Sequence, residues 1–96
     1  MYCTYALYSE SANKIYVGQT DDLKRRFFEH NNSQDYKTWT KAYRPWKLFY
    51  YEVFDNRKDA ILREKYFKTG VGREFLRKQL NELIIKSKGV LVNIEI

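Results

Sequence analysis

The order of apolar and polar positions predicts a hairpin of two strands at the start of the chain. Residues 2–8 are rich in aromatic and β-branched side chains and predict the first strand. Residues 14–17 predict the second strand, which Gly18 ends. The segment 9–13 between them is short and polar, which is typical of an antiparallel hairpin.

The next apolar pattern has helical spacing. It predicts a helix over about 21–31, with Thr20 or Asp21 as its N-cap. Leu23 and Phe27 lie four positions apart and form its inner face. After a polar loop over 34–45, the loosely alternating residues 46–54 predict a third strand.

Two further helices follow the third strand. Asp55 or Asn56 caps the first of them, which runs to about Lys68. Segment 69–72 contains two glycines and predicts a break, after which a helix runs from Arg73 to about residue 86. Four apolar side chains of this last helix form a core stripe at helical spacing: Leu76, Leu80, Leu83 and Ile84.

The element order β-β-α-β-α-α predicts an α+β domain, with a small three-stranded antiparallel sheet flanked by three helices. We expect the domain to cover residues 1–88. The apolar segment 89–96 is then a short tail, either a fourth strand or disordered, and disorder is the preferred interpretation.

Composition restricts the class of protein. A net charge of +6 and a pI near 9.4 favour a polyanionic partner such as nucleic acid. Cys3 is the sole cysteine, which excludes an internal disulfide and a zinc site of the CxxC type. A reducing compartment therefore fits best, and without a leader-like or bilayer-spanning run we expect a cytoplasmic protein that does not interact with membranes.

Two tyrosines of the hairpin are candidates for chemistry. In a hairpin that turns around residues 10 and 11, Tyr5 and Tyr16 are nearly opposite and share one face. Two neighbouring phenols can hydrogen-bond to one ligand. The alternative is a packed pair of strand tyrosines with no ligand.

Arg26 and His30 project from one face of the first helix, because they are four positions apart. Both should lie at the rim of the core. The arginine can grip a phosphate through two hydrogen bonds, and the chain's only histidine can accept or relay a proton. The alternative is that Arg26 pairs with Asp22 and that His30 merely ends the helix.

Glu64 is a lone carboxylate in the middle of the second helix. A single carboxylate can hold Mg²⁺, because that ion keeps most of its waters and binds phosphate oxygens. The alternative is an ordinary ion pair between Glu64 and Lys68 on a solvated face.

The polar loop interleaves basic and aromatic side chains. This pattern suits a nucleic-acid backbone with stacked bases, and equally a solvated loop whose tryptophans cover the edge of the core. The cations predicted to contact nucleic acid, including one near the hairpin turn, are Lys14, Lys37, Lys41 and Arg44.

In this order and at these spacings, the residues resemble the GIY-YIG nuclease family, in particular its small, single-domain bacterial branch. The second signature element corresponds to the segment 16–18, Tyr-Val-Gly. The first corresponds to the segment 3–5, Cys-Thr-Tyr, which keeps only the tyrosine. Arg26 follows the glycine by eight positions, and His30 and Glu64 match the family's later motifs.

The resemblance implies metal-assisted hydrolysis of DNA phosphodiester bonds. Glu64 would hold Mg²⁺ or Mn²⁺, and Arg26 would neutralise the same phosphate. Tyr5 and Tyr16 would position the attacking water, and the general base is one of these phenols or His30.

Three questions stay open after the resemblance. The family's supporting asparagine is not assigned, and Asn81 and Asn93 are the candidates. The substrate preference would come from DNA structure, a homodimer or a protein partner, and the pathway could be repair, recombination or mobile-element maintenance. The rival functions are a nucleic-acid-binding module without catalysis and a protein-interaction domain.

Overall fold

The computed structural model of the protein describes residues 1–34, 41–89 and 93. The elements occur in the predicted order, which confirms the α+β class with a three-stranded antiparallel sheet and three helices. They are β1 (Tyr2–Ser9), β2 (Lys14–Thr20), α1 (Leu23–Asn32), β3 (Lys47–Phe54), α2 (Arg57–Phe67) and α3 (Gly70–Lys86).

The sheet has the order β2-β1-β3, so β1 is central and β2 is an edge strand. Both faces of β1 are buried, because its alternating side chains point to two separate cores. The core on the α1 side contains Tyr5, Leu7, Leu23, Trp46 and Leu48. The core under α2 and α3 contains Ala6, Tyr8, Val17, Phe49, Phe67, Leu76 and Leu80.

The hairpin register differs from the predicted one. Tyr5 pairs with Gly18, and Tyr16 pairs with Leu7. The two tyrosines therefore share a face as predicted, but they are diagonal neighbours rather than opposite ones. The turn lies one residue later along the chain, with Asn13 in the left-handed region at φ 51°. Asparagine tolerates this conformation, and its Oδ1 accepts a hydrogen bond from the Tyr8 hydroxyl at 2.9 Å.

Strand β2 is longer than predicted, and α1 begins later. Gly18 does not end the strand, because pairing continues to Thr20, which lies opposite Cys3. The N-cap is Asp22, whose carboxylate accepts from the backbone N–H of Arg25 at 3.1 Å. Neither Thr20 nor Asp21 is the cap, since the strand must end before the helix can start.

The two C-terminal helices meet at a close crossing. Asn56 caps α2 as predicted. Helix α3 begins at Gly70 with Thr69 as its cap, earlier than the predicted Arg73. Gly72 lies inside the helix, and a Cβ there would come within 2.1 Å of the Tyr66 carbonyl oxygen. This glycine permits close packing of α3 against the end of α2.

The chain after Gly89 is described only at Asn93, so the prediction for the tail lies almost entirely outside the described residues. The Asn93 side-chain oxygen accepts a hydrogen bond from the backbone N–H of Leu48 at 2.9 Å. None of the helices in the described part of the chain is long and apolar enough to span a bilayer.

Candidate active site

Tyr5, Tyr16 and His30 form one cluster on the α1 side of the sheet. The Tyr5 hydroxyl lies 2.8 Å from Nε2 of His30. The ring of Tyr16 packs edge-on against the imidazole, with centroids 4.5 Å apart, and lies 6.2 Å from the ring of Tyr5. The three side chains that sequence reasoning took from separate elements are therefore in direct contact.

His30 is fully buried, with 0% of its surface exposed, rather than at the rim of the core as predicted. Leu23 and His30, seven positions apart, are the two buried residues of α1, so the helix turns both toward the sheet. The imidazole thus reaches the strand tyrosines as part of the core.

Burial, together with the positive charges of Arg26 and Arg44, lowers the pKa of His30 to about 4. The imidazole is therefore neutral at pH 7. A neutral imidazole carries one N–H, so Nε2 either accepts from the Tyr5 O–H or donates to the phenol oxygen. Both arrangements couple the Tyr5 proton to the imidazole.

Gly18 makes room for this cluster. It lies opposite Tyr5 in the sheet, and the phenol of Tyr5 lies across it. A Cβ at position 18 would be 2.7 Å from the Tyr5 hydroxyl oxygen and 3.1 Å from a ring carbon of Tyr16. A glycine is therefore required for packing, since its backbone occupies an ordinary strand conformation.

Arg26 lies at the rim of the cluster. Its side chain is half-buried, and its Nε lies 3.8 Å from Oε1 of Glu29. Asp22, the partner proposed by the alternative interpretation, instead accepts from the backbone N–H of Arg25. The positive charge of Arg26 is one of the causes that lower the pKa of His30.

Glu64 lies on the other side of the sheet, on α2. Its Oε2 is 2.6 Å from Nζ of Lys68, so the predicted helical ion pair is present. The Glu64 side chain is partly exposed, at 23%. The structure therefore does not gather all the predicted residues on one face.

Residues of α2 on both sides of Glu64 nevertheless lie near the edge strand β2, which carries Tyr16. At one end of β2, the guanidinium of Arg57 donates to the Gln19 side chain at 3.3 Å. Thr4, opposite Gln19, donates to the Ala60 carbonyl at 2.7 Å. At the other end, Lys68 lines a groove together with Tyr16. Glu64, about 6 Å beyond Ala60 along the helix axis, lies between these two groups of contacts along α2.

Comparison with known proteins identifies the family of the chain. Residues 1–78 match the family model described as the GIY-YIG catalytic domain. The chain belongs to the GIY-YIG family. The family comprises nucleases, so the protein is a member of a nuclease family.

Curated relatives of this GIY-YIG chain come from bacteria. A UPF0213 protein of Limosilactobacillus reuteri is 40% identical over 74 residues, which cover 76% of each chain. The UPF0213 protein in ldhD 5'region of Pediococcus acidilactici is 38% identical over 79 residues, covering 81% of this chain and 74% of the relative. No solved structure matches the chain. These names specify no activity, metal or substrate.

A divalent ion at this site would be held by a lone carboxylate. In residues 1–34, 41–89 and 93, no three His, Cys, Asp or Glu side chains are grouped so that they could hold a metal. A single partly exposed carboxylate fits Mg²⁺ or Mn²⁺ when waters and substrate phosphate oxygens supply the remaining ligands. Glu64 is the residue that would hold the ion.

Arg44, predicted to contact nucleic acid, has a structural role that sequence reasoning missed. Its guanidinium donates to the carbonyl oxygens of Glu29, His30 and Ser33 at 3.1, 2.5 and 2.6 Å. These carbonyls lie at the C-terminal end of α1, where the Glu29 carbonyl also accepts from the backbone N–H of Ser33 at 2.9 Å. Arg44 thus caps α1 and holds the backbone of His30, and its contact with nucleic acid stays a prediction.

The other predicted basic contacts have different outcomes. The ammonium of Lys14 lies 5.5 Å from the centroid of the Tyr43 ring. Lys41 is half-buried, and Lys37 lies outside the described residues. Trp46 is 1% exposed and belongs to the core, as the alternative interpretation of the loop expected.

A second polar cluster connects the sheet to α2 next to Glu64, and the sequence offered no clear signal for it. Arg63 donates to both carboxylate oxygens of Glu52 at 2.8 and 3.1 Å. The Tyr50 hydroxyl also donates to Glu52. Burial and this carboxylate raise the pKa of Tyr50 to about 12. Burial alone would raise the pKa of Glu52, but the hydrogen bonds from Arg63 and Tyr50 outweigh it and lower the pKa.

The two candidate asparagines do not adjoin the cluster. Asn93 bonds to β3, the edge strand opposite β2. Asn81 is exposed on α3. Among the described residues the contact of Asn93 is with the backbone of β3, so the family's supporting asparagine stays unassigned.

Proposed function

We propose that the protein is a metal-dependent endonuclease that hydrolyses phosphodiester bonds in DNA. The observation that carries the proposal is the 2.8 Å contact between the Tyr5 hydroxyl and a buried neutral His30, with Arg26 at the rim. A packed tyrosine pair would not need a histidine whose pKa is held near 4. The net charge of +6 supports a polyanionic substrate.

The neutral imidazole can accept a hydrogen bond from the Tyr5 hydroxyl. A phenol has a pKa near 10 and is a weak base at neutral pH unless its proton is shared. When Nε2 of His30 accepts a hydrogen bond from the Tyr5 O–H, the phenol oxygen becomes more electron-rich and can accept a hydrogen bond from an attacking water. Tyr16 borders the imidazole and limits its access to solvent.

Arg26 and Glu64 act on the phosphate. The Arg26 guanidinium neutralises charge that develops on the phosphate oxygens in the transition state. A bound Mg²⁺ or Mn²⁺ would stabilise the same charge and the leaving oxygen. Glu64 would hold that ion, and its carboxylate would first have to release Lys68.

Nicking of supercoiled plasmid in Mg²⁺ or Mn²⁺ tests the proposal. Glu64→Gln removes the negative charge but keeps the side-chain length, and we expect no metal-dependent nicking. Glu74→Gln is the matched control, because Glu74 is exposed on α3 and away from the cluster. Arg26→Ala should slow single-turnover nicking by about 10² to 10³. Arg25→Ala, its exposed neighbour, should nick at the wild-type rate.

The outcomes separate the proposed function from its rivals. Wild-type activity in Glu64→Gln, or a loss below about threefold in Arg26→Ala compared with the expected range, would exclude the proposed site. Binding of DNA by the wild type without any nicking would instead favour a non-catalytic binding module. A panel of nicked, flapped and branched DNAs tests whether cleavage depends on DNA structure.

A further inference from the structure

A groove of about 460 Å³ follows the edge strand β2 on the side away from β1. Both faces of the strand contribute to it, since Lys14 and Tyr16 alternate with Ile15 and Val17. Helices α2 and α3 supply the opposite wall through the remaining lining residues, which are Phe67, Lys68, Arg73, Leu76 and Arg77.

The charged side chains that line this groove are all positive. Four of its nine lining side chains are cationic, and none of the lining residues within the described part of the chain is acidic. Lys14, Lys68 and Arg73 are exposed, so their charged groups can reach a ligand. Apolar side chains form the floor, because Val17, Phe67 and Leu76 belong to the core.

The cations have few partners that would neutralise them. Arg77 donates to the neutral side chain of Asn13 at 2.9 Å. Lys14 lies over the ring of Tyr43. Lys68 pairs with Glu64, and in the described residues Arg73 has no salt bridge. A polyanionic ligand would therefore relieve repulsion between like charges in a narrow space.

The groove touches both parts of the candidate site. Tyr16 lines it and also packs against His30. Lys68 lines it and also holds the Glu64 carboxylate. The groove thus connects the residues on the two faces of the sheet around the edge of β2.

We infer that the groove along β2 binds the sugar-phosphate backbone of a nucleic-acid strand beside the site of cleavage, with Lys14, Lys68, Arg73 and Arg77 contacting phosphates. The groove has this role only if the protein acts on nucleic acid as proposed above. Charge complementarity and continuity with Tyr16 favour a polynucleotide over an acidic peptide. The apolar floor suits sugar and base surfaces between the phosphates.

The test is binding of a short fluorescein-labelled DNA duplex in EDTA over a series of salt concentrations. The test variant is Arg73→Gln with Arg77→Gln, which keeps a donor near Asn13. Its matched control is Lys78→Gln with Lys86→Gln, since both lysines are exposed on the same helix and line no part of the groove. The two variants lose equal charge, so a difference between them reports position.

Each phosphate contact makes the slope of log affinity against log salt steeper by about 0.9. Such a contact is therefore worth about eightfold in affinity at about 0.1 M salt relative to about 1 M salt. The test variant should lose about 60-fold in affinity and about 1.8 in slope, and the control should lose less than about threefold. Melting curves establish that both variants are folded.

Equal losses in the two variants would overturn the inference, because binding would then follow net charge alone. Equal competition by polyglutamate would also overturn it in favour of an acidic peptide. If the wild type nicks plasmid while the test variant binds normally, the groove assignment fails and the nuclease function stands. If the wild type neither binds nor nicks DNA, both fail.

Discussion

Gly18→Ala is the change that most directly tests how the cluster is built. The new methyl carbon would lie 2.7 Å from the Tyr5 hydroxyl oxygen and 2.9 Å from the adjoining ring carbon. Tyr5 is 1% exposed and its hydroxyl contacts His30, so the phenol cannot swing into solvent. The ring must move within the core and give up its hydrogen bond.

The cost follows from the packing. Overpacking a core typically costs about 1–3 kcal/mol, and a lost hydrogen bond costs about 1 kcal/mol. Replacing glycine returns about 0.5–1 kcal/mol through a less flexible unfolded chain. We therefore expect a net loss of about 1–3 kcal/mol, which corresponds to a fall in Tm of about 5 to 20 °C for a domain of this size.

Two other glycines serve as controls. Gly70 has nothing within 4 Å of a built Cβ, so Gly70→Ala should be neutral or slightly stabilising. Gly72→Ala would place its methyl 2.1 Å from the Tyr66 carbonyl oxygen. Because backbone cannot move aside as a side chain can, we expect the largest loss of stability there, without a local change around His30.

The assay combines thermal melting with proton NMR of the imidazole. His30 is the only histidine, so its ring signals are unambiguous. Displacement of Tyr5 in Gly18→Ala should admit water and raise the pKa of His30 from about 4 toward the ordinary 6.5. If Gly18→Ala melts like Gly70→Ala and leaves the pKa of His30 near 4, the close approach of Tyr5 to Gly18 is not needed and the reasoning is wrong.

Three further predictions follow from the same contacts. Below pH 6.5 the unfolded chain takes up a proton that folded His30 does not accept until about pH 4. The free energy of unfolding should therefore fall with falling pH in that window, by up to about 1.4 kcal/mol per pH unit. Urea unfolding should show this slope in the wild type, and a folded His30→Gln variant that keeps the slope would contradict the assignment. Arg44→Gln leaves carbonyl groups at the end of α1 without their donor, and should cost about 1–3 kcal/mol of stability in melting experiments. It should also raise the pKa of His30, because one nearby positive charge is lost. An unchanged pKa would count against the electrostatic explanation. Glu52→Gln weakens the bidentate bonds from Arg63 and should cost about 1–3 kcal/mol, whereas an unchanged Tm would show that this pair does not hold α2 to the sheet.

Local patterns were sufficient for the elements and their order. The alternation in β1 and the stripe of Leu76 and Leu80 are properties of neighbouring residues, so they predict strand and helix without knowledge of the partner. The errors lie at boundaries. Gly72 was interpreted as part of a helix break, but a tertiary contact with Tyr66 explains it inside a helix.

The candidate site shows the same division. The sequence by itself determined which side chains could serve a phosphate, because Tyr5, Tyr16, Arg26, His30 and Glu64 stand in family order. It also determined that the two tyrosines share a face, since that requires only the period of two along each strand.

Only the tertiary structure decided how those groups are related. The hairpin register depends on where the turn lies, and Asn13 moves it so that Tyr5 faces Gly18. The burial of His30 depends on how α1 packs. Its low pKa depends first on that burial and then on the charges of Arg26 and of Arg44, which lies in a different part of the chain. Such contacts join distant residues, and no periodicity along the chain encodes their distances.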